Sequence, residues 1–273
     1  MVFQPWWRTR GVSEAMAEFE KILYFDCSSG ICGDMIVAAL VDLGVPAGYL
    51  REELARLGLP GWLLRLSPDS RGGLRGTRAE VELTGPFLRR GGAPSSTGSG
   101  TPRHAHRAYR DIEALIGASG LAAQNKARAL AIFATLAAAE AKVHGTSLEE
   151  LRFHEVGATD SIVDIVAAGI CLEYFKPDRV LSSSVQLGGG FVKCAHGLLP
   201  VPVPAVAELL RGVPVRLGAS EQESTTPTGA AFLAAFVDEY TDERNFRAKR
   251  SGIGIGHREG EIPDLLTVVA GEL

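Results

Sequence analysis

The sequence predicts an α+β fold, with mixed β-sheets and packed helices in two lobes joined by a flexible linker. Three observations predict it. Strand-like and helix-like stretches alternate near the N-terminus, and a Gly-bounded hairpin and two terminal strands then break that alternation. Residues 91–103 (Gly-Gly-Ala-Pro-Ser-Ser-Thr-Gly-Ser-Gly-Thr-Pro-Arg) have the composition of a flexible linker. The expected division is an N-terminal extension over 1–20, an α/β lobe over 21–90, a linker over 91–107 and a main α+β lobe over 108–273.

Composition narrows the function classes. A chain of 273 residues, 46% hydrophobic and 22% charged, can bury a sizeable core and is ordinary for a globular protein. Its net charge of −4 argues against nucleic acid and anionic membrane as partners. No stretch reaches 18 apolar residues, so no transmembrane helix is expected. The first twenty residues lack the apolar run of a secretory signal. They resemble a loosely attached arm, and Met16 would itself make a natural start. Four cysteines (Cys27, Cys32, Cys171, Cys194) show no disulfide framework, which suits a reducing cytoplasm.

In order, residues 21–26 read as a buried strand, residues 27–34 as a small-residue turn, and the stretch to Leu43 as a helix. A strand, a turn and a helix N-terminus together offer free N–H groups to an anion, here around Ser29 and Gly30. Asp26 ends the strand and Asp34 sits in the first helical turn, where it also complements the helix dipole. A second helix is expected over 47–57, then two strands, 62–67 and 74–83, around a Gly-Gly turn. His104 and His106 follow the linker and can chelate one ion if the loop folds back. Residues 108–117 and 121–143 read as helices; the second is Ala-rich and shows no chemistry, and His144-Gly145 ends it as a glycine cap.

The densest polar cluster is residues 152–164, Arg-Phe-His-Glu-Val-Gly-Ala-Thr-Asp-Ser-Ile-Val-Asp. His154 and Glu155 precede a Gly-Ala break, and a helix apolar on almost every face starts near Asp160. Asp160 and Asp164 share one face of that helix. Two ionised carboxylates roughly 6 Å apart repel by about 3 kcal/mol at an effective dielectric of about 20. A buried helix therefore needs a cation, a proton or a basic partner there. Either Asp160 caps the helix and Asp164 pairs with a base, or the two hold a divalent ion.

Residues 180–187 read as a strand, and Gly188-Gly189-Gly190 permits a bend. Lys193, Cys194 and His196 form a compact loop cluster, either a soft metal-ligand pair or a nucleophile and base. A helix follows at 204–211. Another begins with Thr226 as N-cap and Pro227 at its first position, and Thr226, Thr228 and Gly229 there can also meet phosphate. Residues 246–256 and 265–269 read as strands. Gly252, Gly254 and Gly256 alternate in the first, leaving one sheet face bare for something to pack on.

Four runs carry a resemblance. Tyr-Phe-Asp-Cys-Ser-Ser-Gly-Ile-Cys-Gly-Asp-Met, Phe-His-Glu-Val-Gly-Ala-Thr-Asp-Ser-Ile-Val-Asp-Ile, Lys-Cys-Ala-His-Gly-Leu-Leu-Pro-Val-Pro-Val-Pro-Ala and Thr-Pro-Thr-Gly-Ala-Ala resemble, in this order, the signatures of the LarC-type nickel-insertion proteins. The resemblance implies CTP-dependent insertion of Ni²⁺ into pyridinium-3,5-bisthiocarboxylic acid mononucleotide, with Mg²⁺ or Mn²⁺ involved. The product would be the nickel-pincer cofactor of lactate racemase-type enzymes. Such a reaction forms one metal–carbon and two metal–sulfur bonds and needs a base for the ring proton. It implies His154, Glu155, Cys194 and His196 as ligands or base, Asp160 and Asp164 as ion holders or orienting groups, and Lys193 with the 226–229 helix start against phosphate.

Family chains are longer, so CTP is expected at a C-terminal part. The linker here carries only His104 and His106 where many members have a His-rich tract. Ser28 stands where the family has an aromatic residue, and Cys32 where it has Ser. Two competing functions are a nickel- or ligand-binding subunit without turnover of its own, and a metal-dependent phosphoryl-transfer enzyme. A homo-oligomer is compatible with each.

Overall fold

A computed structural model describes residues 20–84, 107–243 and 245–273. His104, His106 and the expected linker and N-terminal extension lie outside them, save for Glu20 and Arg107 at their edges. In chain order, Lys21–Asp26 (β1) leads into Gly33–Leu43 (α1) and Ala47–Ala55 (α2), then the hairpin Trp62–Arg71 (β2) and Leu74–Leu83 (β3). Arg107–Ala108 (β4), Tyr109–Ala118 (α3), Ala123–His144 (α4), Arg152–Phe153 (β5) and Thr159–Phe175 (α5) follow. Four short strands come next: Arg179–Ser182 (β6), Val185–Gly188 (β7), Phe191–Cys194 (β8) and Gly197–Pro200 (β9). After them stand Pro204–Leu209 (α6), Val215–Leu217 (β10), Pro227–Phe236 (α7), Glu239–Tyr240 (β11), Arg247–Ile255 (β12) and Leu265–Glu272 (β13).

The fold is α+β. Its main sheet has seven strands in the order β11-β6-β1-β13-β12-β3-β2. The pairing is mixed: β1 runs parallel to β6 and antiparallel to β13, and β12 parallel to β3. Strands from before and after the expected linker are interleaved. β1 lies between β6 and β13, and residues from both segments share one core cluster.

In β1 the side chains alternate between two buried faces. Leu23 and Phe25 enter the main core, while Ile22 and Tyr24 join a small cluster with Leu181 on the other face. Tyr24 there meets the Phe246 ring at 5.5 Å. The bare glycine face of β12 is covered by α1. A Cβ on Gly252 would stand 2.3 Å from Ala39 O, and one on Gly254 would stand 2.1 Å from Met35 O. Helix α5 is buried, with eleven of its 17 residues inaccessible. It meets α4 closely, because a Cβ on Gly169 would stand 3.1 Å from the Ala129 amide nitrogen.

Two expectations need correction. The single strand expected over 180–187 is two strands, β6 in the main sheet and β7 paired with β10. The break falls at three serines whose hydroxyls compete for backbone groups. Ser183 Oγ accepts the Cys27 N–H at 2.8 Å, and Ser182 Oγ donates to Ser183 O at 3.0 Å. The segment expected as a loop around Cys194 is the β8–β9 hairpin, with Cys194 opposite Gly197. The helix over 123–144 and the cap at Gly145 (φ 63°) agree with expectation.

The glycine seam yields a stability contrast. Gly254→Ala is expected to lose about 1–3 kcal/mol through overpacking against α1. Gly117→Ala, exposed in α3 with nothing within 4 Å of the added methyl, is expected to gain up to about 1 kcal/mol. Denaturant unfolding compares them, and equal midpoints for the two variants would contradict the packing described.

Candidate metal centre

Three imidazoles from three separated segments meet at one place. His144 ends α4, His154 follows β5, whose Phe153 is buried, and His196 sits at the tip of the β8–β9 hairpin. Ring centroids lie 5.3 Å apart for His144 and His154, 4.9 Å for His144 and His196, and 4.6 Å for His154 and His196. One nitrogen of each lies within 4.8 Å of the others. Metal–imidazole bonds are about 2.0–2.1 Å, so adjacent ligand nitrogens stand about 3 Å apart and modest ring rotations close the triad. Neutral imidazole suits nickel, zinc and copper.

The imidazoles line a cavity of about 400 Å³. Val156, Val192, Leu199 and Val203 give it apolar walls, and Glu140, Glu155, Glu223, Lys193 and Cys194 give it polar groups. Glu140 lies one helical turn before His144, with its carboxylate 3.4 Å from His144 Nε2. Burial pushes the Glu140 carboxyl up from its ordinary range, and His144 and His196 oppose that shift. Glu155 Oε1 accepts the Ala195 N–H at 3.0 Å, tying the His154 segment to the hairpin tip. Burial raises the Glu223 carboxyl to about 7, against the pull of Arg258 and with a push from Glu155.

The structure thus brings together five residues singled out from sequence: His154, Glu155, Lys193, Cys194 and His196. Sequence reasoning missed His144, Glu140 and Glu223. The view of α4 as a helix without chemistry is corrected: its last turn supplies an imidazole and a carboxylate. The Glu140/His144 spacing of four on a helix was the available signal, masked because a cap explained His144. Cys194 lines the cavity, but its sulfur is outside the imidazole group.

Asp160 and Asp164 do not line this cavity. Asp160 does not cap α5; Ala158 occupies the N-cap, and the Asp160 carboxylate accepts the Ser161 N–H at 2.8 Å. Asp164 lies where the starts of α1 and α7 meet α5. A Cβ on Gly33 would stand 3.1 Å from Asp164 Cβ and 3.4 Å from Thr228 Oγ1. Among the described residues no base pairs with Asp164. Burial pushes its carboxyl well above the usual range, and Asp34 and Asp160 add to the shift. Burial acts on Asp34 too, but hydrogen bonds from His257 and Cys32 outweigh it and hold that carboxyl low. His257 Nε2 lies 3.3 Å from Asp34 Oδ2, and this contact holds the imidazole above its ordinary value. Asp164 thus resists ionisation, while the His257 contact favours the ionised form of Asp34.

The remaining expected residues lie outside the imidazole cavity. Asp26 accepts the Ser28 N–H at 3.2 Å, closing the turn after β1. Gly30 (φ 96°) lies against Ser224 and Gly229 against Ile31, since a Cβ on either would stand 2.0 Å from Ser224 O or 2.3 Å from Ile31 O. Thr226 caps α7 by accepting the Gly229 N–H at 3.4 Å and bonds Thr228 Oγ1 at 2.9 Å. Ser29 lines a separate polar cavity of about 260 Å³.

Asp164 makes stability depend on pH. A carboxyl raised by folding favours the folded state at low pH, and that favour is lost as pH climbs above the ordinary carboxylate value of about 3.9. In metal-free buffer, Asp164→Asn is therefore expected to be about 1–3 kcal/mol more stable than the parent at pH 8, with the gap closing towards pH 4. Urea unfolding across that range checks it, and a gap independent of pH would refute it.

Residues 23–272 match the family model described as nickel insertion protein. The chain is 47% identical over 259 residues to the pyridinium-3,5-bisthiocarboxylic acid mononucleotide nickel insertion protein of Clostridium kluyveri, covering 92% of this chain and 62% of that protein. The protein of that description from Clostridium acetobutylicum is 46% identical over 273 residues, covering 92% and 64%. The one from Akkermansia muciniphila is 45% identical over 251 residues, covering 91% and 60%. The chain therefore spans about three fifths of the length of the curated relatives it matches. No solved structure matches it. With a family model matched across almost all its length, and curated relatives at 45–47% identity, the chain belongs to the nickel insertion protein family.

Proposed function

We propose that this chain binds Ni²⁺ at His144, His154 and His196 and delivers it to pyridinium-3,5-bisthiocarboxylic acid mononucleotide held in the same cavity. The observation that carries this is the convergence of three imidazoles on an apolar-walled cavity in a member of this family. Three neutral ligands hold a divalent ion while leaving coordination positions open. Thiocarboxylate sulfurs are softer donors than imidazole nitrogens, so transfer from protein to ligand is favoured once both sulfurs reach the metal. The apolar walls seat the pyridinium ring and keep water from competing. Lys193, exposed on the hairpin, supplies a cation for the ligand's phosphate. Glu140 orients His144, and Glu155 holds the hairpin tip that presents His196.

In this reading the chain is a cofactor-biosynthesis enzyme acting in the cytoplasm, and the product is the nickel-pincer cofactor of lactate racemase-type enzymes. CTP and its Mg²⁺ or Mn²⁺ are used through the portion of the relatives that this chain does not span. The shorter span also supports a second reading, a nickel- and ligand-binding part that turns over only with that portion. No helix among the described residues is long and apolar enough to cross a membrane.

Alanine at His144, His154 or His196 is each expected to weaken nickel binding tenfold or more, a loss of about 1.4 kcal/mol or greater. Asp164→Asn should leave affinity within about twofold. Calorimetric titration of Ni²⁺ into the metal-free chain measures both. Unchanged affinity in all three histidine variants would remove the assignment.

A further inference from the structure

Three carboxylates line the imidazole cavity, and they differ in what holds them. Glu140 stands beside His144, and Glu155 accepts the Ala195 N–H. The Glu223 carboxyl has neither a hydrogen bond nor an ion pair among the described residues. Arg258, whose charge acts on it, is committed elsewhere, donating to Asp264 Oδ1 at 2.5 Å and to Ser224 O at 3.1 Å.

The main chain at Glu223 is held firmly. Glu223 bridges Gly188, the next amide donates from Ser224 to Leu187 O at 3.0 Å, and Gly189 N–H donates to Gln222 O at 3.3 Å. Gly188 (φ 85°) admits this approach only because it lacks a side chain; a Cβ there would stand 1.9 Å from Gln222 O. A rigid main chain therefore presents an uncommitted carboxyl to the cavity. That carboxyl lies outside the group of metal-ligating atoms that approach within 4.8 Å of one another. Its position suits a reaction partner of the bound ligand better than a fourth metal ligand.

The chemistry needs such a group. In a pyridinium 3,5-bisthiocarboxylate, a metal held between the two sulfurs faces ring carbon 4, which bears hydrogen. Forming the metal–carbon bond sends the C–H electron pair to the metal and releases the hydrogen as a proton. Nickel stays divalent, and the ionised sulfurs release no proton, so one base suffices and no oxidant is required.

We propose that Glu223 is the catalytic base that accepts this ring proton on its carboxylate, an inference that rests on the cavity being where nickel meets the ligand. Afterwards the carboxyl passes its proton to solvent at the cavity mouth. Burial that raises the carboxyl to about 7 suits the role, because a base works best when its affinity for the proton lies near ambient pH. Arg258 and Glu155 act on it with opposing effects, and Glu140, Lys193 and the three imidazoles share the cavity.

The test uses the whole chain, supplied with the portion of its relatives that it does not span, with Ni²⁺, CTP and the mononucleotide ligand, and reads nickel affinity and single-turnover metallation separately. Glu223→Gln is expected to bind nickel within about twofold of the parent and to metallate about 10²–10⁴-fold more slowly. Glu223→Ala should be partly rescued by added formate, which a purely structural role would not allow. Metallation by Glu223→Gln at the parent rate overturns the proposal. So does a tenfold loss of nickel affinity in that variant, which would make Glu223 a ligand while leaving the three-imidazole assignment intact. A parent chain that binds nickel but leaves the ligand unmetallated even in the presence of that portion also overturns it. Undiminished nickel binding in the histidine variants would instead overturn the underlying assignment.

Discussion

Helix α4 meets α5 with no side chain between them at Gly169, and much of the molecule follows from that contact. Two helices this close pack backbone against backbone, which an alanine-rich α4 permits. The last turn of α4 then falls beside the segment that leads into α5. His144 and His154 become neighbours although nine residues, a glycine cap among them, lie between them in the chain. The β8–β9 hairpin closes over both, tied to the His154 segment through Glu155 and the Ala195 amide. No imidazole in the triad lies on the same element as another, so the site exists only when this packing is complete.

Two polar clusters flank α5, and physical chemistry separates their roles. At the start of α1, burial makes Asp164 reluctant to ionise, and His257 favours the Asp34 carboxylate. In the cavity, three imidazoles face three carboxylates, two of which burial makes reluctant to ionise. An arriving divalent cation would relieve that reluctance. Carboxylates at helical spacing in Asp160 and Asp164 drew attention from the sequence, yet the cation-ready arrangement belongs to the histidines.

Much of this was legible in the residues themselves. Alternation of Ile22, Leu23, Tyr24 and Phe25 reads as a strand with two covered faces, and Thr226-Pro227 reads as a helix start because each residue supplies what that position needs. The glycine series in β12 was legible as a bare face, though not what covers it. The four signature runs pointed to the family, and His154, Glu155, Lys193, Cys194 and His196 to the cavity. Less legible was the break between β6 and β7, since Ser182 and Ser183 bond to Cys27 in the turn after β1.

The sequence by itself determined the strand and helix periods, the caps and turns, the family, and two of the three imidazoles. These depend on neighbours a few residues apart, and local sterics and hydrogen bonding decide them. Only the tertiary structure decided that His144 is a third ligand candidate and not merely the end of a helix, and that Glu223 stands uncommitted in the same cavity. It also decided that Asp164 and Asp34 belong to another cluster. Those outcomes depend on where α4, α5, α7 and the hairpin come to rest against one another, and burial of apolar surface sets that without marking any single polar residue.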